Sequence, residues 1–233
     1  MAIFRRLVCA ALCAGLLSGI VAAGAHQIGT VPLILEAEIY EQAAQHATAD
    51  KTGAAAPHEH KAAEWEPENG IERAGYTLVA DLLAAIGFAL LLAAGLTLRG
   101  GSVTWREGLL WGLAGFATST IAPGLGLPPE IPGTESGPLV ARQLWWLATA
   151  VSTASGLALL AFSRRALYAA FAVILIVVPH LYGAPQPADY AAAAPEALAH
   201  RFTVAATLVS FLFWAALGAS TGYFYRRFER WAR

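Results

Sequence analysis

The sequence predicts an all-α fold, a polytopic transmembrane helix bundle of six spans with both termini cytoplasmic. Three observations predict it. Hydrophobic residues fill 57% of the 233 positions against 13% charged, too apolar a balance for an ordinary soluble domain. The apolar residues gather into six runs, roughly 7–25, 74–98, 108–127, 143–162, 166–182 and 202–224, most of them close to the ~20 residues that cross a hydrocarbon core as helix. Arginines then mark alternate ends of the runs: Arg5 and Arg6, Arg99 and Arg106, Arg164 and Arg165, and finally Arg226, Arg227, Arg230 and Arg233. Those ends belong in the cytoplasm, and the other connections hold only Lys51, Lys61, Arg73, Arg142 and Arg201 beside most of the acids. Amides in lipid must be satisfied within a helix or a closed barrel, and Ala/Leu/Gly-rich runs without alternation are not barrel strands.

The first run follows Arg5 and Arg6 and ends at Ala23-Gly24-Ala25, which is also the pattern of a cleaved secretory signal; cleavage would leave five spans. Its apolar length of about 19 residues exceeds the ~7–15 of a signal core and favours retention. Cys9 and Cys13, four apart on one helix face, cannot bridge within a regular helix and read as small packing residues.

Residues 26–73 form the largest connection of what reads as a single membrane domain, 1–233. It faces outward and carries His and Glu. Pro32 starts a stretch, 31–41, that can continue as an amphipathic helix with Glu38 and Glu41 one turn apart. The Ala/Thr/Gly-rich stretch 47–56 is expected to be mobile. His58-Glu59-His60 follows, with His46 and Asp50 upstream and Glu64, Glu66, Glu68 and Glu72 downstream. Imidazole and carboxylate suit divalent ions such as Co, Ni and Zn. The same pattern fits a plain acidic loop, or one that merely raises the local cation concentration.

The second run carries Asp81 about two turns in, and the fifth carries Pro179-His180 at its outer end, where a proline frees a carbonyl and can open the helix. His26 closes the first. Ionisable groups inside a membrane face the bundle interior or a cavity and are default site hypotheses. Asp81 could instead pair with an arginine, His180 bond a neighbouring helix, and His26 sit at the interface. Arg142 opens the fourth run, placed to neutralise Glu130 or a carboxylate within the membrane. Gly15/Gly19, Gly108/Gly112 and Gly218/Gly222 are G-x-x-x-G pairs, with Ser152/Gly156 similarly spaced; they predict close helix contacts, internal or between subunits.

Enzyme signatures are missing. The chain has no G-x-x-x-x-G-K-[ST] loop, no H-E-x-x-H and no C-x-x-C-H, so no catalysis and no resident cofactor is expected, and no nucleic-acid partner.

Phe4-Arg5-Arg6-Leu7, the stretch 31–41, Gly70-Ile71-Glu72-Arg73, the stretches 104–116 and 122–133, Arg142-Gln143-Leu144-Trp145-Trp146, the stretch 179–185 and the closing 218–227 resemble the CbtA family, the predicted cobalt transporter subunit, over nearly the whole chain. The resemblance implies cobalt(II) uptake across the inner membrane of bacteria that make cobalamin, with a small single-span CbtB-like subunit as partner. Family members often carry a denser histidine run in the first outer loop than His46, His58 and His60. The combined expectation is a subunit, a possible homo-oligomer in the lipid bilayer, that collects a divalent ion on His46, His58, Glu59 and His60. His180, His26 and Asp81 would then pass it into the bundle. The alternative is a non-transporting scaffold or metal-sensing partner, because the inner half offers few polar groups beyond Thr97, Thr118, Ser119 and Thr120.

Overall fold

The computed structural model describes residues 2–52, 67–188 and 191–231. These residues are helical apart from their connections, with one isolated bridge, Thr134 to Ala192, between two loops. Helix α1 spans Ala2–Gly29 and α2 spans Val31–Thr52. The carbonyl of Thr30 accepts from the amides of Leu33 and Ile34, so the chain turns there and restarts at Pro32, which costs no helical donor in a first turn. Helix α3, Ile71–Arg99, lies between Gly70 and Gly100, both at positive φ.

Helix α4 begins as Trp105–Phe116, continues through a π-helical stretch, Ala117–Ile121, and ends in a turn, Ala122–Gly124. Thr104 caps it in a reciprocal box with Glu107. The Thr104 amide, and then Arg99, hold the Glu107 carboxyl below its ordinary value at the rim of the span. Helices α5 (Leu139–Phe162), α6 (Ala166–Tyr182) and α7 (Glu196–Trp231) complete the chain.

Helix α1 packs between α3 and α7, and α4 packs on another side of α7. Ala11, Ala14, Ala85, Ala89, Leu92, Trp214 and Leu217 form the buried centre of the first three. Small residues allow it: a Cβ on Gly15 would fall 2.6 Å from the Ile86 Cα, and one on Gly108 would fall 2.7 Å from the Gly222 Cα. The Gly108/Gly112 and Gly218/Gly222 pairs thus face each other across α4 and α7. Ser152/Gly156 also has a contact within the chain, Gly156 meeting Ala172 and Ile176 of α6. The spacing left internal and intersubunit contacts open; all these are internal.

The helices alternate in direction, so α1 and α7 bring the two ends of the chain together. The Arg6 guanidinium lies 3.6 Å from the Tyr225 ring centre, donates to the Tyr225 carbonyl at 3.2 Å and approaches Glu229 at 3.5 Å. Arg99 pairs with Glu107 at 2.8 Å, while the opposite end of the bundle pairs Arg73 with Glu38 and Arg142 with Glu130. The Arg142–Glu130 pairing is the one its place at the head of the fourth run predicts.

Four helices, α1, α3, α5 and α7, are long and apolar enough to cross a membrane. Helix α6 is apolar but has 17 residues, ~26 Å against a core of ~30 Å. The π-helical stretch interrupts α4.

Where it is described, the stretch 47–56 is helical: α2 carries it through Thr52. Alanines, Gln45 and Lys51 are strong helix formers, and they outweigh the scattered threonines. Most of the connection 31–52 is therefore helix, anchored where Leu33 and Ala37 pack against Ile131, Ala194, Leu198 and Phe202.

Candidate metal site

Two of the seven sequence-predicted site residues meet. His26, in the last turn of α1, and Asp81, about 15 Å along α3 at 1.5 Å per residue, face each other with Nε2 and Oδ1 3.8 Å apart. Glycine sets the approach, because Gly19 of α1 rides directly over Leu82 and the Asp81 carbonyl. Both side chains are partly buried, the Asp81 side chain 19% exposed, and its Oδ2 is buried without a hydrogen-bond partner among the described residues.

Thr30 orients the histidine. Its hydroxyl donates to the His26 carbonyl at 3.3 Å and its Oγ1 lies 2.9 Å from His26 Nδ1. Because the hydroxyl hydrogen is engaged, Nδ1–H is the donor to Thr30, and the other ring nitrogen is turned to the carboxylate. An imidazole nitrogen and a carboxylate oxygen facing each other are two lone-pair donors that a single divalent cation could share. Metal bonds of ~2.1 Å put neighbouring ligands about 3 Å apart, so the pair must close by a little under 1 Å to share one ion. Sequence reasoning missed Thr30, although its i+4 spacing from His26 was visible.

Of the other expected residues, the two that are described stand elsewhere. His180 is half-buried beside Trp145, ring centres 5.9 Å apart and edge to face. Helix α6 does not open at Pro179; it runs on to Tyr182, and the Pro179 carbonyl accepts from Trp145 Nε1 at 3.1 Å. His46 is exposed on α2. His58, Glu59 and His60 lie outside the described residues. Among the described residues, no three of His, Cys, Asp and Glu come together.

Polar groups continue inward from the pair more than the sequence suggested. Ser18 of α1 and Ser220 of α7, both buried, have hydroxyls 3.2 Å apart. Thr97 meets the Tyr225 hydroxyl at 2.9 Å beside Arg6. Serines in Ala/Gly-rich runs read as packing residues, and only the crossing of α1 and α7 makes them a pair.

No curated protein and no solved structure matches the chain. The family model described as "Probable cobalt transporter subunit (CbtA)" matches residues 4–226. With described residues that are helical apart from their connections, four apolar helices of membrane-crossing length among them and a histidine–carboxylate pair between two of these, the chain belongs, by that match over nearly its whole length, to the CbtA family.

Proposed function

We propose that this chain is the membrane-embedded subunit of a divalent transition-metal uptake system, with cobalt(II) as its cargo, and that His26 and Asp81 form the site at which the ion enters the bundle. The observation that carries the proposal is the pairing itself. An ionisable pair within apolar helices is costly to keep unless it works, and imidazole plus carboxylate is the donor set a Co, Ni or Zn ion takes. Both groups bind a metal in their deprotonated forms, so entry of the ion would release any proton the pair carries.

In this reading six spans cross a bacterial inner membrane, α4 and α6 as the two short ones, with both termini in the cytoplasm. The arginine distribution supports that orientation. Fusing a fluorescent protein that folds only in the cytoplasm to the C-terminus should give fluorescent cells; dark cells with full-length protein would reverse it. His46, His58, Glu59 and His60 gather the ion at the outer rim, and His180 stands beside a separate contact of α5 with α6. A small single-span CbtB-like subunit completes the system, since the family is by description a subunit.

The packed seam of α1 with α3 and α7, where Ala10, Ala11 and Ala14 are fully buried, favours a second reading, a metal-sensing scaffold that binds the ion without passing it. Radiolabelled cobalt uptake separates the two, because a scaffold binds cobalt and accumulates none inside cells.

A further inference from the structure

The helix hydroxyls divide into two sets. Ser18, Ser119, Thr203, Thr207 and Ser220 each donate to the carbonyl four residues back, which is how a hydroxyl is satisfied inside a membrane helix. Thr149 and Thr153 of α5 do not. They are 0% and 4% exposed, and neither Oγ1 has a hydrogen-bond partner among the described residues. Thr221, on α7, is the one other threonine in this state.

Thr149 and Thr153 share the buried face of α5 with Trp145 and Gly156. Trp145 meets Gly126 and the Pro179 carbonyl, and Gly156 meets Ala172 and Ile176, so this face lies in the crevice between the end of α4 and α6. Helix α5 packs on the π-helical stretch Ala117–Ile121. The two run antiparallel, with Trp111 against Phe162 at one end, ring centres 6.3 Å apart, and Gly126 against Trp145 at the other. That pairing sets Thr149 and Thr153 level with 117–123. Within that stretch Pro123 is fully buried and has no N–H to give the preceding turn, where the ladder runs five residues back, as from the Ala122 N–H to the Ala117 carbonyl. Single π-helical turns recur at functional sites.

We propose that this crevice holds a monovalent alkali cation, sodium, whose binding is coupled to movement of the metal. The donors are hydroxyl and carbonyl oxygens only, hard and uncharged, and they suit sodium better than a divalent transition metal, which takes imidazole and carboxylate. No side chain from 117–123 is ionisable, nor are the two threonines; the ionisable side chain on the α6 wall is His180, against Trp145. Interrupted helices whose loosened carbonyls face a neighbouring helix are a general way for membrane proteins to hold a coupling ion. The coupling rests on the uptake reading; the site does not.

The test is thermal unfolding of the purified full-length chain in detergent, without cobalt, in sodium chloride against choline chloride at equal ionic strength. Wild type should melt several degrees higher in sodium, with saturable concentration dependence. Thr149→Val/Thr153→Val, which replaces both partnerless hydroxyls by groups of the same shape, should lose the sodium response and melt at or above wild type in choline. Thr149→Ser/Thr153→Ser should keep the response. Equal melting of wild type in the two salts overturns the site whatever the variants do, and so does an undiminished response in the valine variant. Neither result bears on cobalt uptake, which is measured separately.

Discussion

At the residue scale the proposed site has three parts: Asp81 would bring a carboxylate, His26 a nitrogen, and Thr30, whose Oγ1 lies 2.9 Å from Nδ1, would aim the other ring nitrogen. Residues that orient metal-binding histidines typically matter by ~10–100-fold. Thr30→Val should therefore weaken cobalt binding by roughly 10-fold while leaving the fold intact, as read by calorimetric titration of the detergent-solubilised protein; unchanged affinity would mean the threonine only turns the chain. Asp81 and His26 were legible because an ionisable residue in an apolar run stands out in any sequence. Thr30 and the Ser18–Ser220 contact were not, because a hydroxyl in a helix is usually satisfied locally, and its distant partner is set by which helices cross. His180 shows the reverse: conspicuous in sequence, it packs on Trp145, and nothing in a linear pattern distinguishes that from membership of the His26 site.

At the scale of elements, the helices were legible from apolar length and from caps. Thr104-x-x-Glu107 marks the start of α4, and the G-x-x-x-G pairs mark faces that must touch. What spacing leaves open is the partner of each face, since any small stripe fits any other. Gly15/Gly19 took Ile86 and Leu82, whereas Gly108/Gly112 took Gly218/Gly222. Gly112→Leu should consequently force α4 off α7, where Trp214 and Gly218 leave no room for a side chain. Overpacking of this kind costs about 1–3 kcal/mol or more, so the variant should melt well below wild type in detergent; a Gly24→Leu control, with nothing within 4 Å of its Cβ position, should not. Equal melting of the two would place the α4–α7 contact elsewhere. The π-helical stretch was invisible in sequence, because periodicity is read on an α-helical ruler and Pro123 alone predicts only a kink. The helical run of α2 through Thr52 was missed because alanine-rich sequence with threonine and aspartate reads equally as loop or helix until its first turns are anchored.

For the whole molecule, the alternation of helix directions gathers Arg6, Arg99, Tyr225 and Glu229 at one end and His26, Glu38, Arg73 and Glu130 at the other. The His26–Asp81 pair therefore lies toward the end opposite Arg6 and Arg99. The central claim is that cobalt enters at this pair. Its most direct test is saturable uptake of radiolabelled cobalt by cells stripped of their own importers, expressing the chain with its small partner subunit as wild type, His26→Ala, Asp81→Asn or His58→Ala/His60→Ala. Wild type should accumulate cobalt, His26→Ala and Asp81→Asn should each reduce uptake at least ~10-fold, and the outer-loop variant should lose uptake mainly at low cobalt. Wild-type uptake persisting in Asp81→Asn and His26→Ala, with all proteins inserted in the membrane, would contradict that claim.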